Sequence, residues 1–213
     1  MKTTAKRRRA PRWLRSLWRS KTGMVGFIIV AVVMFCAVFA PYIAPYDPNA
    51  INPLYMLKPP AFVEGGDIQF LLGTDNLGHD ILSRLIYGAR ISMLIGVFSV
   101  FVAGFIGTAF GLIAGYYGGI CDSIIMRISD AFHAIPRTLL ALVAVSLMQA
   151  SVTTLIIVIG VTGWVNYARL IRSEVLVLKE REFVKASITI GTPDYKIILK
   201  HILPNVFSVF IVV

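Results

Sequence analysis

Residues 91–121 read ISMLIGVFSVFVAGFIGTAFGLIAGYYGGIC, 31 residues between Arg90 and Asp122 without one formal charge. A helix rising about 1.5 Å per residue crosses a hydrocarbon core of about 30 Å in roughly 20 residues. The stretch therefore predicts a membrane-spanning helix over about 91–114. Within it Ser99, Ala103, Gly107, Gly111 and Gly115 recur every four residues. That spacing puts five small residues on one helix face, where another backbone can approach closely. The pattern predicts a span buried between helices and does not name its partner.

Working outward, two more runs are long enough to cross. Lys21 to Asp47 encloses 25 uncharged residues, and Arg137 to Arg169 encloses 31. The region after Asp122 is apolar but carries Arg127, Asp130 and Arg137, with Pro136 expected to kink it. The expected architecture is an all-α, polytopic membrane helical bundle. It has a basic leader, 1–23, and a membrane domain, 24–213, with spans at about 24–43, 91–114, 124–148 and 155–170. A fifth apolar run from about 205 is cut off at the last residue, too short to cross a bilayer. The first run exceeds the 7–15 residues usual in a signal-peptide core, and Pro41 follows its small-residue site. It reads as an uncleaved anchor.

Composition agrees. The 213 residues are 57% hydrophobic and 15% charged, with a mean hydropathy of +0.76. So few charges cannot coat a soluble domain of that apolar content, and disorder demands the opposite balance. The net charge of +10 would suggest nucleic acid on a soluble surface. Here it records orientation: the leader holds nine basic and no acidic residues, and segment 169–201 holds seven basic and four acidic. The positive-inside rule places both in the cytoplasm, and four intervening spans require them on one side. Trp13 and Trp18 in RWLRSLWRSK fit either an amphipathic helix on the inner leaflet or a basic flank with an aromatic belt.

The segment after the fourth span is too polar to cross and too patterned to be a linker. Phe183, Val184, Ser187 and Ile190 share one face of a short helix. Gly191 suits the left-handed position that ends it. Thr192 as N-cap, Pro193 at the first helical position and Asp194 in the first turn would open a second helix. Pro204 disfavours a helical residue before it. Such a helix, turn and helix at the cytosolic face serves either as a docking element or as a structural cap.

Charges near the spans admit two roles. Arg127 and Asp130 are three apart and can pair, and Asp122 lies nearly on the same face. They form an ion-pair group at the cytosolic end of the third span or line a path through it. Asp75, His79 and Asp80 in GTDNLGHD read as a capped turn opening a helix over Ile81 to Tyr87. Cys36, Cys121 and the three histidines, His79, His133 and His201, form no ligand pattern, and no catalytic constellation is present. Neither a bound metal nor a cofactor is expected.

Three ordered motifs carry a resemblance. KASITIGTPDYKIILKHILPN (185–205) resembles the cytoplasmic loop signature of binding-protein-dependent ABC transporter permeases: Glu-Ala-Ala, three residues, Gly, nine residues, then Ile-x-Leu-Pro. Ala186, Gly191 and Leu203-Pro204 match. Lys185 stands where glutamate is usual, with Glu182 nearby, and Ser187 replaces the second alanine. LLGTDNLGHDILSRLIYGARIS (71–92) and GYYGGICDSIIMRISDAFHAIPRTLLAL (115–142) resemble two further stretches of the peptide/nickel branch, as do APYIAPYDP and KPPAFVEGG.

The resemblance implies a permease of the bacterial inner membrane, multi-pass with a cytoplasmic N-terminus, carrying peptides or a similar small solute. Family members continue through the fifth helix and one more, so the resemblance also implies a truncated product or a partial sequence. Its implied partners are a second permease, two cytoplasmic ATPases and an extracytoplasmic solute-binding protein, within the lipid bilayer and without nucleic acid. Glu182, Phe183, Val184, Lys185, Ala186, Ser187, Gly191, Thr192 and Pro193 would form the ATPase-coupling loop. The chain itself lacks the glycine-rich loop that cradles ATP phosphates. A stand-alone channel or secondary transporter, the competing class, predicts midplane charges or an inverted repeat, and neither is visible in the sequence.

Overall fold

The computed structural model describes residues 20–149 and 151–210. Trp13, Trp18 and the leader arginines lie outside these residues. Two compact units divide the chain, 1–93 and 94–213.

In the first unit, α1 (Lys21–Ile43) begins where the Ser20 hydroxyl accepts from the Gly23 amide at 3.1 Å. Most of its large apolar side chains, among them Phe27, Ile29 and Val38, are exposed, as a lipid-facing or partner-facing span requires. Residues 44–80 then fold with little regular structure beyond a 3₁₀ turn at Pro53–Tyr55. Hydrogen bonds and two glycines hold this segment together. Thr74 bridges to Asp80; its amide donates to the Lys58 carbonyl (3.0 Å), and its hydroxyl accepts from the Lys58 amide (2.9 Å) and donates to the Tyr55 carbonyl. Gly78 has a φ of +79°, and its Cα packs against the Asn52 backbone so closely that no side chain could fit. Phe70 is buried between the rings of Tyr46 and Tyr55, with centroids 5.4 and 5.2 Å away.

Asp80 caps the next helix: its carboxylate accepts from the Ser83 amide (2.8 Å) and hydroxyl (2.6 Å). This helix, α2, runs unbroken from Ile81 to Tyr117, so the short helix expected at 81–87 and the span expected at 91–114 are one element. No residue between them stops a helix.

The second unit contains the remainder. α3 (Gly119–Ala134) and α4 (Arg137–Leu147) occupy the stretch expected as the third span, bent by 85° at their junction. Pro136 explains the break, since it forces Ile135 into extended backbone (φ −97°, ψ 127°) and cannot donate to the ladder. α5 (Val152–Lys179) starts at a Ser151 cap and continues nine residues beyond the expected end at Leu170. α6 (Glu182–Thr189), α7 (Asp194–Ile197), a π-helical turn (Ile198–Ile202) and α8 (Leu203–Phe210) complete the described chain.

Pro204 does not interrupt this last run as the sequence suggested. The preceding turn widens to π geometry, which makes room for the proline ring and its missing donor. The core of the unit is Leu112, Tyr116, Ile171, Val175, Val184, Ile197, Ile202 and Val206.

Candidate functional site

The small-residue ladder of α2 lies against α5. The Ser99 hydroxyl donates to the Ile156 carbonyl at 3.3 Å. Ala103 lies 3.2 Å from where a side chain on Gly163 would begin. Gly107 abuts Trp164 and Tyr167, and a Cβ on Gly111 would sit 2.7 Å from both the Ala168 carbonyl and Ile171. One on Gly115 would sit 2.7 Å from Val175. Residue numbers rise together on both helices, so the two run parallel, with backbones closer than any larger residue would permit. Gly160 answers from α5, its absent side chain filled by Val102. The partner of the ladder was unreadable in the sequence, because periodicity marks a face and not what covers it.

The charged group of α3 is also tied to α5. Asp122 accepts from Arg172 through both carboxylate oxygens, with Nη2 2.6 Å from Oδ2. Asp130 accepts from Arg169 Nη2 at 2.7 Å, and the buried Ser129 hydroxyl accepts from Arg169 Nε at 3.0 Å. Arg127 is exposed and makes no ion pair among the described residues. The acidic residues thus pair across helices and not with Arg127 three residues away. Two guanidinium forks from one turn of α5 reach two turns of α3, a geometry that fixes the rotation of both helices.

Beyond these clamps the helix α6 is held by a single deep contact. Val184 is fully buried in the core of the unit, while Phe183 and Ala186 are exposed, Ser187 is half-buried and Ile190 is 82% exposed. Lys185 reaches back to Glu180 (2.6 Å), and this hydrogen bond holds the Glu180 carboxyl below its usual range. Both side chains are largely exposed, so solvent screens the pair and it adds little to the mounting of the helix. Glu182 lies in the first turn, where its charge complements the helix dipole.

The turn after α6 closes by two backbone bonds: the Thr192 amide to the Ser187 carbonyl (3.1 Å) and the Gly191 amide to the Ile188 carbonyl (2.9 Å). With Gly191 at φ +80°, this is a Schellman ending. Thr192 therefore belongs to the end of α6, and Pro193, not Thr192, stands at the N-cap of α7. The helix starts one residue later than the pattern suggested, after Pro193 in extended backbone (ψ 142°).

One junction escaped the sequence reading. The Tyr116 hydroxyl donates to Asp194 Oδ1 at 2.8 Å. Lys179 donates to the Tyr116 carbonyl at 2.5 Å and lies 5.4 Å from the centre of its ring. The last turns of α2 and α5 and the first turn of α7 thus meet at one tyrosine. These residues lie 63 and 78 positions apart, and no local pattern links them. Among the described residues, no group of His, Cys, Asp or Glu could hold a metal ion.

Comparisons with known proteins identify the family. Residues 107–213 match the family described as binding-protein-dependent transport system inner membrane component. Residues 12–60 match the N-terminal membrane domain of oligopeptide transport permease C. A dipeptide transport system permease protein of Haemophilus influenzae is 40% identical over 203 residues, 93% of this chain and 69% of the relative. An oligopeptide transport system permease protein of Bacillus subtilis is 39% identical over 205 residues, 92% of this chain and 65% of the relative. A glutathione transport system permease protein of Escherichia coli is 38% identical over 198 residues, 93% of this chain and 64% of the relative.

Proposed function

Because this chain belongs to the binding-protein-dependent transport system inner membrane components, it is a multi-pass permease subunit of an ATP-driven importer, and we propose that its cargo is a peptide. The relatives' names support that class, ranging over dipeptides, oligopeptides and the tripeptide-like glutathione. An importer of this kind works with cytoplasmic ATPases and a solute-binding protein. In our reading two ATPases serve a pair of permeases, this chain and a second, similar one. The basic leader and the α6–α7 turn face the cytoplasm.

In this reading α6 and the turn at Gly191 form the element that enters an ATPase groove. What supports it is the way α6 is mounted. Its outer face is exposed at Phe183, Ala186 and Ile190, while its inner face reaches the spans through Val184. The attached α7 is bonded to α2 through Asp194 and Tyr116. A displacement of α6 by a closing ATPase would pass to α2 and α5 through these contacts and bias a membrane domain with two arrangements. The ladder on α2 and the ion pairs Asp122–Arg172 and Asp130–Arg169 would keep α2, α3 and α5 moving as one body.

Cysteines placed at Ala186 and Ser187 test this. The expected outcome is a cross-link to the ATPase whose yield changes on ATP binding. If neither position cross-links and the intact protein brings down no ATPase, the coupling assignment fails.

A further inference from the structure

A cavity of about 660 Å³ lies within the first unit, where α1 ends and α2 begins. Its walls come from two segments. Pro41 and Ala44 at the end of α1, with Tyr46 and Asp47 just beyond, form one side. Arg84, Tyr87, Gly88 and Ile91 form the other, at i, i+3, i+4 and i+7 on a single face of α2.

The cavity has a built frame. The Tyr46 amide donates to the Ser83 hydroxyl at 3.0 Å, and fully buried Ser83 is itself bonded to the Asp80 cap. This ties the chain leaving α1 across the first turn of α2 and leaves the space one turn further along. Gly88 keeps it open. A side chain there would meet nothing within 4 Å, so no packing among the described residues calls for glycine at that position.

The chemistry of the walls is sorted. Arg84 spends one nitrogen on Asp75, and the rest of its guanidinium fork is available to an anion. Asp47 accepts from the Asn49 amide through Oδ1 (2.8 Å), and its second oxygen is available to a cation, with Tyr46 beside it and Tyr87 on the opposite side. Pro41, Ala44 and Ile91 continue into the apolar spans. A matching ligand carries an anion, a neighbouring cation and an apolar tail. At the level where spans leave the hydrocarbon, tyrosines mark the interface and phospholipid headgroups surround the protein.

We propose that this cavity holds the headgroup of a zwitterionic phospholipid with a primary ammonium, its phosphate on Arg84, its ammonium on Asp47 and its acyl chains past Ile91. A primary ammonium is specified because it donates hydrogen bonds to a carboxylate, which a quaternary one cannot. In the orientation proposed above, the lipid belongs to the outer leaflet. Its place is where α1 ends and α2 begins.

The test is native mass spectrometry of the delipidated full chain with phosphatidylethanolamine, phosphatidylcholine or phosphatidylglycerol added at equal concentration. The expected result is one retained phosphatidylethanolamine, favoured over the other two by about tenfold, the scale of one charge-assisted hydrogen bond. Gly88→Leu fills the space on a helix that tolerates leucine better than glycine, and should abolish that retention with no fall in melting temperature. Asp47→Asn leaves the Arg84–Asp75 pair intact and should erase the preference for phosphatidylethanolamine over phosphatidylglycerol. Equal retention of the three lipids by the unaltered chain overturns the proposal, as does unchanged retention in both variants. Displacement of the bound lipid by free dialanine overturns it too, since the cavity would then be a peptide site.

Discussion

The two segments that leave the spans, residues 44–80 and 180–202, are opposite in construction. The first is nearly devoid of helix and is held by polar bonds and steric fit: Thr74 bonded to both sides of the chain, Asp75 and Asp80 capping turns, Gly73 and Gly78 admitting backbone where no side chain could go. The second is helical along most of its length and held by apolar burial at Val184, Ile197 and Ile202, with one hydrogen bond from Tyr116. Polar bonds with defined directions fix one geometry. A few apolar contacts on one side of a short helix hold it while permitting it to tilt. The first construction suits a rigid cap, the second a lever.

The sharpest way to break that contrast is at Gly78. Alanine there meets both a φ of +79° and the Asn52 backbone, with no flexible side chain to yield. The expected cost is about 4 kcal/mol or more, in the exceptional range for a single substitution, seen as rapid proteolysis within residues 44–80. Ile197→Ala strikes the other segment. Removing a fully buried isoleucine should cost about 3 kcal/mol, and it should lower solute-stimulated ATP hydrolysis in the assembled importer more than basal hydrolysis.

Tyr116→Phe is milder. Losing the hydroxyl donor to Asp194 should cost about 1 kcal/mol in a detergent melting assay, while transport falls further than stability does. A drop in stability without loss of coupling would reduce the tyrosine to a structural contact.

The smallest effect concerns pH. Burial pushes the Asp75 carboxyl up, but hydrogen bonds from the His79 ring and from the Leu77 and His79 amides outweigh it and hold it well below the usual carboxylate range. A carboxyl lowered on folding stabilises the fold above its unfolded value of about 3.9 and loses that contribution as pH falls through the lower folded value. Residues 44–80 should therefore become protease-sensitive below about pH 4, with little change between pH 5 and 8 from this group. Asp75→Asn should flatten that dependence, whereas the segment 180–202 should not share it.

Much of this molecule is legible along the chain. Uncharged length marks where spans must lie, since a charge in hydrocarbon is costly whatever surrounds it. Pro136 breaks its helix and Gly191 ends one, because both act through the backbone of their own neighbours. The helix, turn and helix from Glu182 to Ile197 are local for the same reason. Even there, the details differ from the pattern: Thr192 closes α6 instead of capping α7, and the chain passes Pro204 through a π turn.

Other features belong to the fold alone. Five small residues on α2 announce a close approach, but only the folded chain makes α5 the partner. Asp130 has a basic residue three positions away, yet it binds Arg169, 39 positions distant. Tyr116 looked like one aromatic among several until Asp194 and Lys179 converged on it. Backbone preferences and hydropathy are properties of a few neighbouring residues and can be read in order. Which faces, charges and hydroxyls meet depends on how whole helices are brought together, and that is settled by packing.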